Sequence, residues 1–153
     1  MVEGVTDLVG NPGFEVDTSG WKGDLTTNTL NRVAGGHSGA WAAEVSNTLA
    51  GGNCRIDDKP SRGTATQAGP YTVSIWARSD TPGLTLKLRV REFVSGTQQG
   101  SVSPSLPLTS SWQQVTAVYT PVSPGLSSLD VEAFTTGSPV GVCFLADDAS
   151  ITH

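Results

Sequence analysis

Two histidines, His37 and His153, are the only imidazoles in this 153-residue chain, and the second is its last residue. A Ser-His-Asp arrangement would therefore depend on His37 alone, because a serine nucleophile needs a base within hydrogen-bond reach. His37 sits in Gly35-Gly36-His37-Ser38-Gly39, a glycine-rich turn where an ordinary polar loop role is expected. None of the spacings G-x-S-x-G, H-E-x-x-H, G-x-x-x-x-G-K-[ST] or G-x-G-x-x-G occurs. The acid pairs Asp57-Asp58 and Asp147-Asp148 are sequence neighbours. A strand sends neighbours to opposite faces, so neither pair suits two carboxylates flanking one glycosidic bond. Binding is the expected chemistry, not bond breaking.

Cys54 and Cys143 are the only cysteines and lie far apart in the chain, so neither a C-x-x-C redox pair nor a four-cysteine zinc site can be built from them. A single long-range disulfide is the preferred reading, with two separate buried thiols as the alternative. A bridge would persist in an oxidising compartment, and the Ser/Thr-rich, Lys-poor composition matches many extracellular domains. The protein is therefore expected to be secreted.

The elements that must position these residues are strands. The chain has 17 Ser and 18 Thr against 3 Lys and 5 Glu, and 18 Gly with 9 Pro. Residues that fill exposed helix faces are scarce and turn formers abundant, which points to an all-β protein. The length suits one domain spanning 1–153. A formal net charge of −5 disfavours nucleic-acid binding, which needs clustered Lys and Arg to neutralise phosphates. No apolar run approaches the ~18 residues of a membrane span.

Alternation is clearest at 71–79, 84–93, 112–119 and 128–134, with weaker runs at 30–33, 40–46, 53–57, 100–105 and 142–151. These make eight or nine strands, expected to form two packed antiparallel sheets in a β-sandwich of jelly-roll course. In 84–93, Leu84, Leu86, Leu88 and Val90 share the core face, leaving Thr85, Lys87, Arg89 and Arg91 on the other. In 128–134, Leu129, Val131 and Ala133 point inward, with Asp130, Glu132 and Phe134 opposite. If 71–79, 84–93 and 128–134 share one sheet, then Trp76, Arg78, Lys87, Arg89, Arg91, Asp130, Glu132 and Phe134 line one surface. Trp21, Trp41 and Trp112 read as packing residues near turns.

Several segments in fixed order carry a family likeness. Leu8-Val9-Gly10-Asn11-Pro12-Gly13-Phe14-Glu15 is followed by Trp21, then by the glycine-rich turn at 35–39. Tyr71 to Arg78 reads Y-T-x-S-x-W-A-R, Trp112 to Val115 reads W-Q-x-V, and Phe144 to Ile151 contains D-D-x-x-I. Together they resemble carbohydrate-binding modules of families 4, 9 and 22, over nearly the whole chain. The resemblance implies a galactose-binding-domain-like β-sandwich that is not itself catalytic, is monomeric, and is joined to a secreted polysaccharide-degrading enzyme. It also implies a structural calcium held by Glu15 and Asp147 with carbonyls from Gly13 and the Ser38-Gly39 turn. Calcium takes six to eight oxygen ligands, which two carboxylates and glycine-rich backbone can supply.

Sugars are apolar on their faces and polar at their rims, so a polysaccharide site combines stacking groups with hydrogen-bonding side chains. The eight-residue surface has that composition and is the expected binding face. Where the best-known members of those families carry an aromatic, the segment Asn53 to Ile56 here has Cys54 and Arg55. That departure counts against a neutral glucan or xylan cleft, and the row of Lys87, Arg89 and Arg91 leaves an acidic polysaccharide open beside neutral xylan or β-glucan. A protein-interaction or adhesion sandwich is the alternative function, followed by a small jelly-roll hydrolase or lyase.

Overall fold

Residues 7–23, 26–58 and 65–153 are described by a computed structural model. Apolar alternation and frequent turn residues give eleven strands among them and no helix. The strands are β1 Trp21–Gly23, β2 Asn28–Ala34, β3 Trp41–Asn47, β4 Gly52–Asp58, β5 Tyr71–Arg78, β6 Thr85–Val94, β7 Thr97–Val102, β8 Ser105–Pro107, β9 Gln113–Tyr119, β10 Ser128–Ser138 and β11 Gly141–Thr152. The weak run at 100–105 is two strands broken near Pro104, and β1, only three residues long, gave no periodic signal. No helix among the described residues is long and apolar enough to cross a membrane.

The strands form two antiparallel sheets. One has six strands, in the order β1-β4-β10-β6-β7 with β8 also on β6; the other has five, in the order β2-β3-β11-β5-β9. Ile56, Leu86, Leu88, Val90, Leu129, Val131 and Ala133 of the first pack on Val45, Val73, Ile75, Val115, Ala117, Phe144 and Ile151 of the second, forming one core. Fully burying a large apolar side chain stabilises by about 1.5–3 kcal/mol, so this inner layer dominates the energetics. Trp21 is buried with it, 5.9 Å from Phe14. Trp41 and Trp112 lie outside the core cluster: the Arg32 guanidinium caps Trp41 at 3.6 Å, and Trp112 meets His37.

Cys54 on β4 and Cys143 on β11 are bonded, with Cα atoms 6.4 Å apart, so the disulfide staples one sheet to the other. Both sulfurs point inward and both residues are fully buried.

One expectation fails at the level of topology. β5 belongs to the five-stranded sheet, whereas β6 and β10 pair in the six-stranded sheet. The chain crosses between sheets in the 79–84 turn. Alternation within a strand specifies which side chains face the core, but it does not say which sheet the strand joins.

Candidate functional site

Because β10 pairs with β4 on one side and β6 on the other, the outward side chains of the six-stranded sheet form three cross-strand rows. The first is Asp130, Arg91 and Ser101; the second is Lys22, Asp57, Glu132 and Arg89; the third is Arg55, Phe134, Lys87 and Ser105. Six of the eight residues expected on one surface are therefore together: Lys87, Arg89, Arg91, Asp130, Glu132 and Phe134. Trp76 and Arg78 are not. They face outward from the opposite sheet, because β5 lies there.

Glu132 is the keystone of the face. Its side chain is fully buried, and its carboxylate accepts hydrogen bonds from the Nε of Arg89 and, at 3.2 Å, from Arg55, with Arg91 3.5 Å away. Arg91 also donates through Nη2 to Asp130 at 2.5 Å. Partial burial pulls the Arg91 pKa down, but the Asp130 hydrogen bond and the charges of Glu132, Asp130 and Asp57 carry it above its ordinary value. Lys22 lies 3.8 Å from Asp57. Arg55 and Lys22 were absent from the expected face, since 53–57 gave only a weak strand signal and β1 none.

Phe134 is only 7% exposed, with the guanidinium carbons of Arg89 and Arg55 at 4.9 and 5.3 Å from its ring centre. A ligand at this row thus meets guanidinium groups held on an aromatic support, a cation–π arrangement, and not an open ring. Lys87, exposed beside it, makes no ion pair among the described residues.

A second cluster lies at the end of β11. The register of β11 on β5 shifts between Asp147 and Ser150, and Asp148 takes a positive φ of 46°. Phe14, just before Glu15, also has a positive φ, 54°. Such backbone is uncommon outside glycine and concentrates at ligand sites. The fully buried Asp147 accepts the backbone N–H of His37 at 2.7 Å and of Ser38 at 3.3 Å on Oδ2, and that of Asp148 at 2.8 Å on Oδ1. Burial, with the neighbouring Asp148 charge, holds the Asp147 pKa above its usual range despite these bonds.

Glu15 accepts the N–H groups of Ala40 and Trp41 at 3.1 and 3.2 Å. Ser38 Oγ donates to Asp148 at 2.7 Å, and His37 Nδ1 lies 2.7 Å from the same carboxylate. A Cβ on Gly13 would stand 3.9 Å from an oxygen of both Asp147 and Asp148 and 3.6 Å from Glu15 Cγ. One on Gly39, at φ 69°, would strike the Glu15 carboxylate at 2.5 Å. Gly13, Glu15, Ser38, Gly39 and Asp147 therefore do converge. Asp148 and His37 join them, and the His37 ring stacks on Trp76 with centroids 3.8 Å apart. The adjacency of His37 to Ser38 was the only hint of that role in the sequence. The tightest acidic triple among the described residues is elsewhere: Asp57, Asp58 and Asp130 each bring an oxygen within 4.8 Å of the others.

No protein-family profile and no curated protein matches the sequence. Solved structures do match. The CBM22-1–GH10 modules of a Clostridium thermocellum endo-1,4-β-D-xylanase, complexed with xylohexaose, superpose with a TM-score of 0.73 at 23% identity; the match covers all of this chain and 29% of that one. The chain thus spans under a third of that xylanase chain's length. The CBM22-1 xylan-binding domain of Paenibacillus barcinonensis Xyn10C gives a TM-score of 0.72 at 14% identity over 99% of this chain and 97% of that one. A CBM61 module in complex with β-1,4-galactotriose gives 0.61 at 18%, over 95% and 97%. This chain has the β-sandwich fold of carbohydrate-binding modules.

Proposed function

We propose that this chain is a non-catalytic polysaccharide-binding module whose ligand lies across the outer face of the six-stranded sheet. The observation that carries this reading is the face itself: three cross-strand rows of charged and hydroxyl side chains around Glu132 and Phe134, backed by a sheet whose other side is core. Sugar hydroxyls pair with such fixed donors and acceptors, and a keystone carboxylate that pins three guanidiniums pre-organises them. The fold shared with a xylan-binding domain and a galactotriose-bound module supports the same reading.

The Clostridium xylanase chain joins such a module to a GH10 module. By analogy, this chain is a single domain of a longer enzyme and raises that enzyme's local concentration on its substrate. Secretion is the setting in which the Cys54–Cys143 disulfide would persist, and a monomer suffices for the binding described.

The pocket of Glu15, Asp147 and Asp148 fits a structural calcium. Its side-chain donors are hard oxygens: Asp147 and Asp148 each turn one toward Gly13, Glu15 turns its carboxylate toward Gly39, and a cation would favour the charged form of the buried Asp147. Glu15, Asp147 and Asp148 would hold the ion, joined by carbonyls near Gly13 and the 38–39 turn. Its contribution would be to fix the 35–39 turn against β11.

Titration calorimetry against xylan, β-glucans, mannan, galactan, alginate and pectin, with calcium and with EDTA, tests the reading. Saturable binding to one of them is the expected result. Absence of binding under both conditions would overturn it in favour of a protein-interaction role, and release of reducing ends or unsaturated products would overturn its non-catalytic part.

A further inference from the structure

Resting on the reading that this face binds polysaccharide, we propose that its ligand carries carboxylates: a uronate-containing polysaccharide, engaged where Lys87 and Arg89 stand beside Phe134. Charge is not spread evenly along the strands. At one end Asp57, Asp58 and Asp130 gather, answered by Lys22 and Arg91. At the other end, from Phe134 toward the β8 edge, the row runs Phe134, Lys87, Ser105 and contains no carboxylate.

Lys87 and Arg89 are two residues apart on one strand, so both project from the same face, roughly 7 Å apart along it. Lys87 is exposed and makes no ion pair among the described residues. Arg89 pairs with Glu132, but that one buried carboxylate also serves Arg55 and Arg91. Arg91 is answered by Asp130 as well, so beside Phe134 the two cations Lys87 and Arg89 face the one buried carboxylate of Glu132, which leaves this end electropositive in a chain whose formal net charge is −5. Arg89 keeps 27% of its side chain exposed and rests over Phe134.

Guanidinium and ammonium groups are donors without acceptor capacity. Neutral hydroxyls could accept from them, but only an anionic group also offsets the charge, and charge-assisted bonds are about twice as strong as neutral ones. A uronate supplies a planar carboxylate at the rim of a sugar ring, within reach of an arginine fork and a lysine together.

The test is titration calorimetry with polygalacturonate, alginate and glucuronoxylan, with the carboxyl-reduced form of each, and with dextran sulfate, at low and high NaCl. The variant is Lys87→Glu, whose exposed, unpaired position lets it fold, as a thermal melt checks. Affinity for one uronate polymer is expected to fall about tenfold or more on carboxyl reduction and on Lys87→Glu, and to weaken with salt. Equal binding of the carboxyl-reduced or neutral polymers, unchanged in Lys87→Glu, would overturn the carboxylate assignment and leave the polysaccharide-binding reading standing. Tighter binding of dextran sulfate than of any uronate would also overturn it. No binding to any polymer, neutral or acidic, would remove both.

Discussion

Tyr119 and Glu92 meet between the two sheets: the phenol on β9 donates to Glu92 Oε2 on β6 at 2.7 Å, inside the sandwich. Glu92 continues the inward series of Leu86, Leu88 and Val90, and it is fully buried. Its carboxylate also accepts the N–H groups of Val122 and Ser123, each at 2.9 Å, so it holds the chain that leaves β9. Burial pushes the Glu92 pKa up, but hydrogen bonds from Ser127, Tyr119, Val122 and Ser123 outweigh it and hold it at about 2. Tyr119 is pushed up to about 12 by burial and by the Glu92 carboxylate.

Stability should therefore fall at both extremes of pH. A carboxyl group with a depressed folded pKa contributes fully above its unfolded value, near 4.5, and loses that contribution as pH falls toward 2. For Glu92 the loss is on the order of 3 kcal/mol. Tyr119 contributes below pH 10 and loses its contribution as pH rises toward 12. Urea denaturation from pH 7 down to 2.5 should show a shallower decline in Glu92→Gln than in the parent; equal slopes would reject the assignment.

The disulfide should matter more than any one core contact. In the chain-entropy model, closing its 89-residue separation stabilises by about 4.6 kcal/mol. Reduction, or the Cys54→Ala/Cys143→Ala pair, should lower the urea midpoint accordingly. Thiol titration of denatured, unreduced protein should find almost no free cysteine.

Calcium should raise the melting temperature, since a ligand bound only by the native state stabilises by mass action. EDTA should reverse the effect, and elemental analysis should find one ion per chain. Gly39→Ala is expected to abolish the calcium response, because its Cβ would collide with Glu15 in a backbone conformation that already disfavours side chains. An unchanged melt with and without EDTA, with no metal present, would dismiss the site.

Arg89→Ala should weaken polysaccharide binding by roughly 1.5–3 kcal/mol, the range for a hydrogen bond to a charged group. It should also cost stability, because it removes one of the partners of a fully buried Glu132. Trp76→Ala, on the opposite sheet, should leave that affinity unchanged while loosening the His37 turn and lowering calcium affinity. Calorimetry paired with thermal melts separates the two; loss of sugar binding in Trp76→Ala would relocate the ligand to the five-stranded sheet.

The pattern of the residues made much of this legible and left a defined part hidden. The alternation of Leu86, Leu88 and Val90 correctly put Lys87, Arg89 and Arg91 on the other side, and the likeness around Glu15 and Asp147 brought distant segments to one pocket. Trp76 and Arg78 were misplaced because a period of two is identical in either sheet. Glu92 went unnoticed although it lies within the 84–93 run and shares the inward parity of Val90, since a carboxylate is at home in a core position only through donors that come from distant parts of the chain. Lys22 escaped because β1 is only three residues long, and Arg55, noted beside Cys54, was not placed on the face because 53–57 alternates weakly.

The strand orders β1-β4-β10-β6-β7 and β2-β3-β11-β5-β9 put the last two strands, β10 and β11, in the middle of their respective sheets. As the chain leaves a ribosome, β4 and β6 emerge before β10, and β3 and β5 before β11, the central strand that each must pair with. Neither sheet can knit together until residues beyond Ser128 are available, so the growing polypeptide waits with open strand edges. Pairing partners far apart in sequence also make closure slow. Removing β11 should thus abolish folding of the five-stranded sheet instead of trimming its rim, and expression of such fragments should yield aggregate. The Cys54–Cys143 bond spans the same late juncture, since it ties β4 to the last strand and cannot form before Cys143 is available.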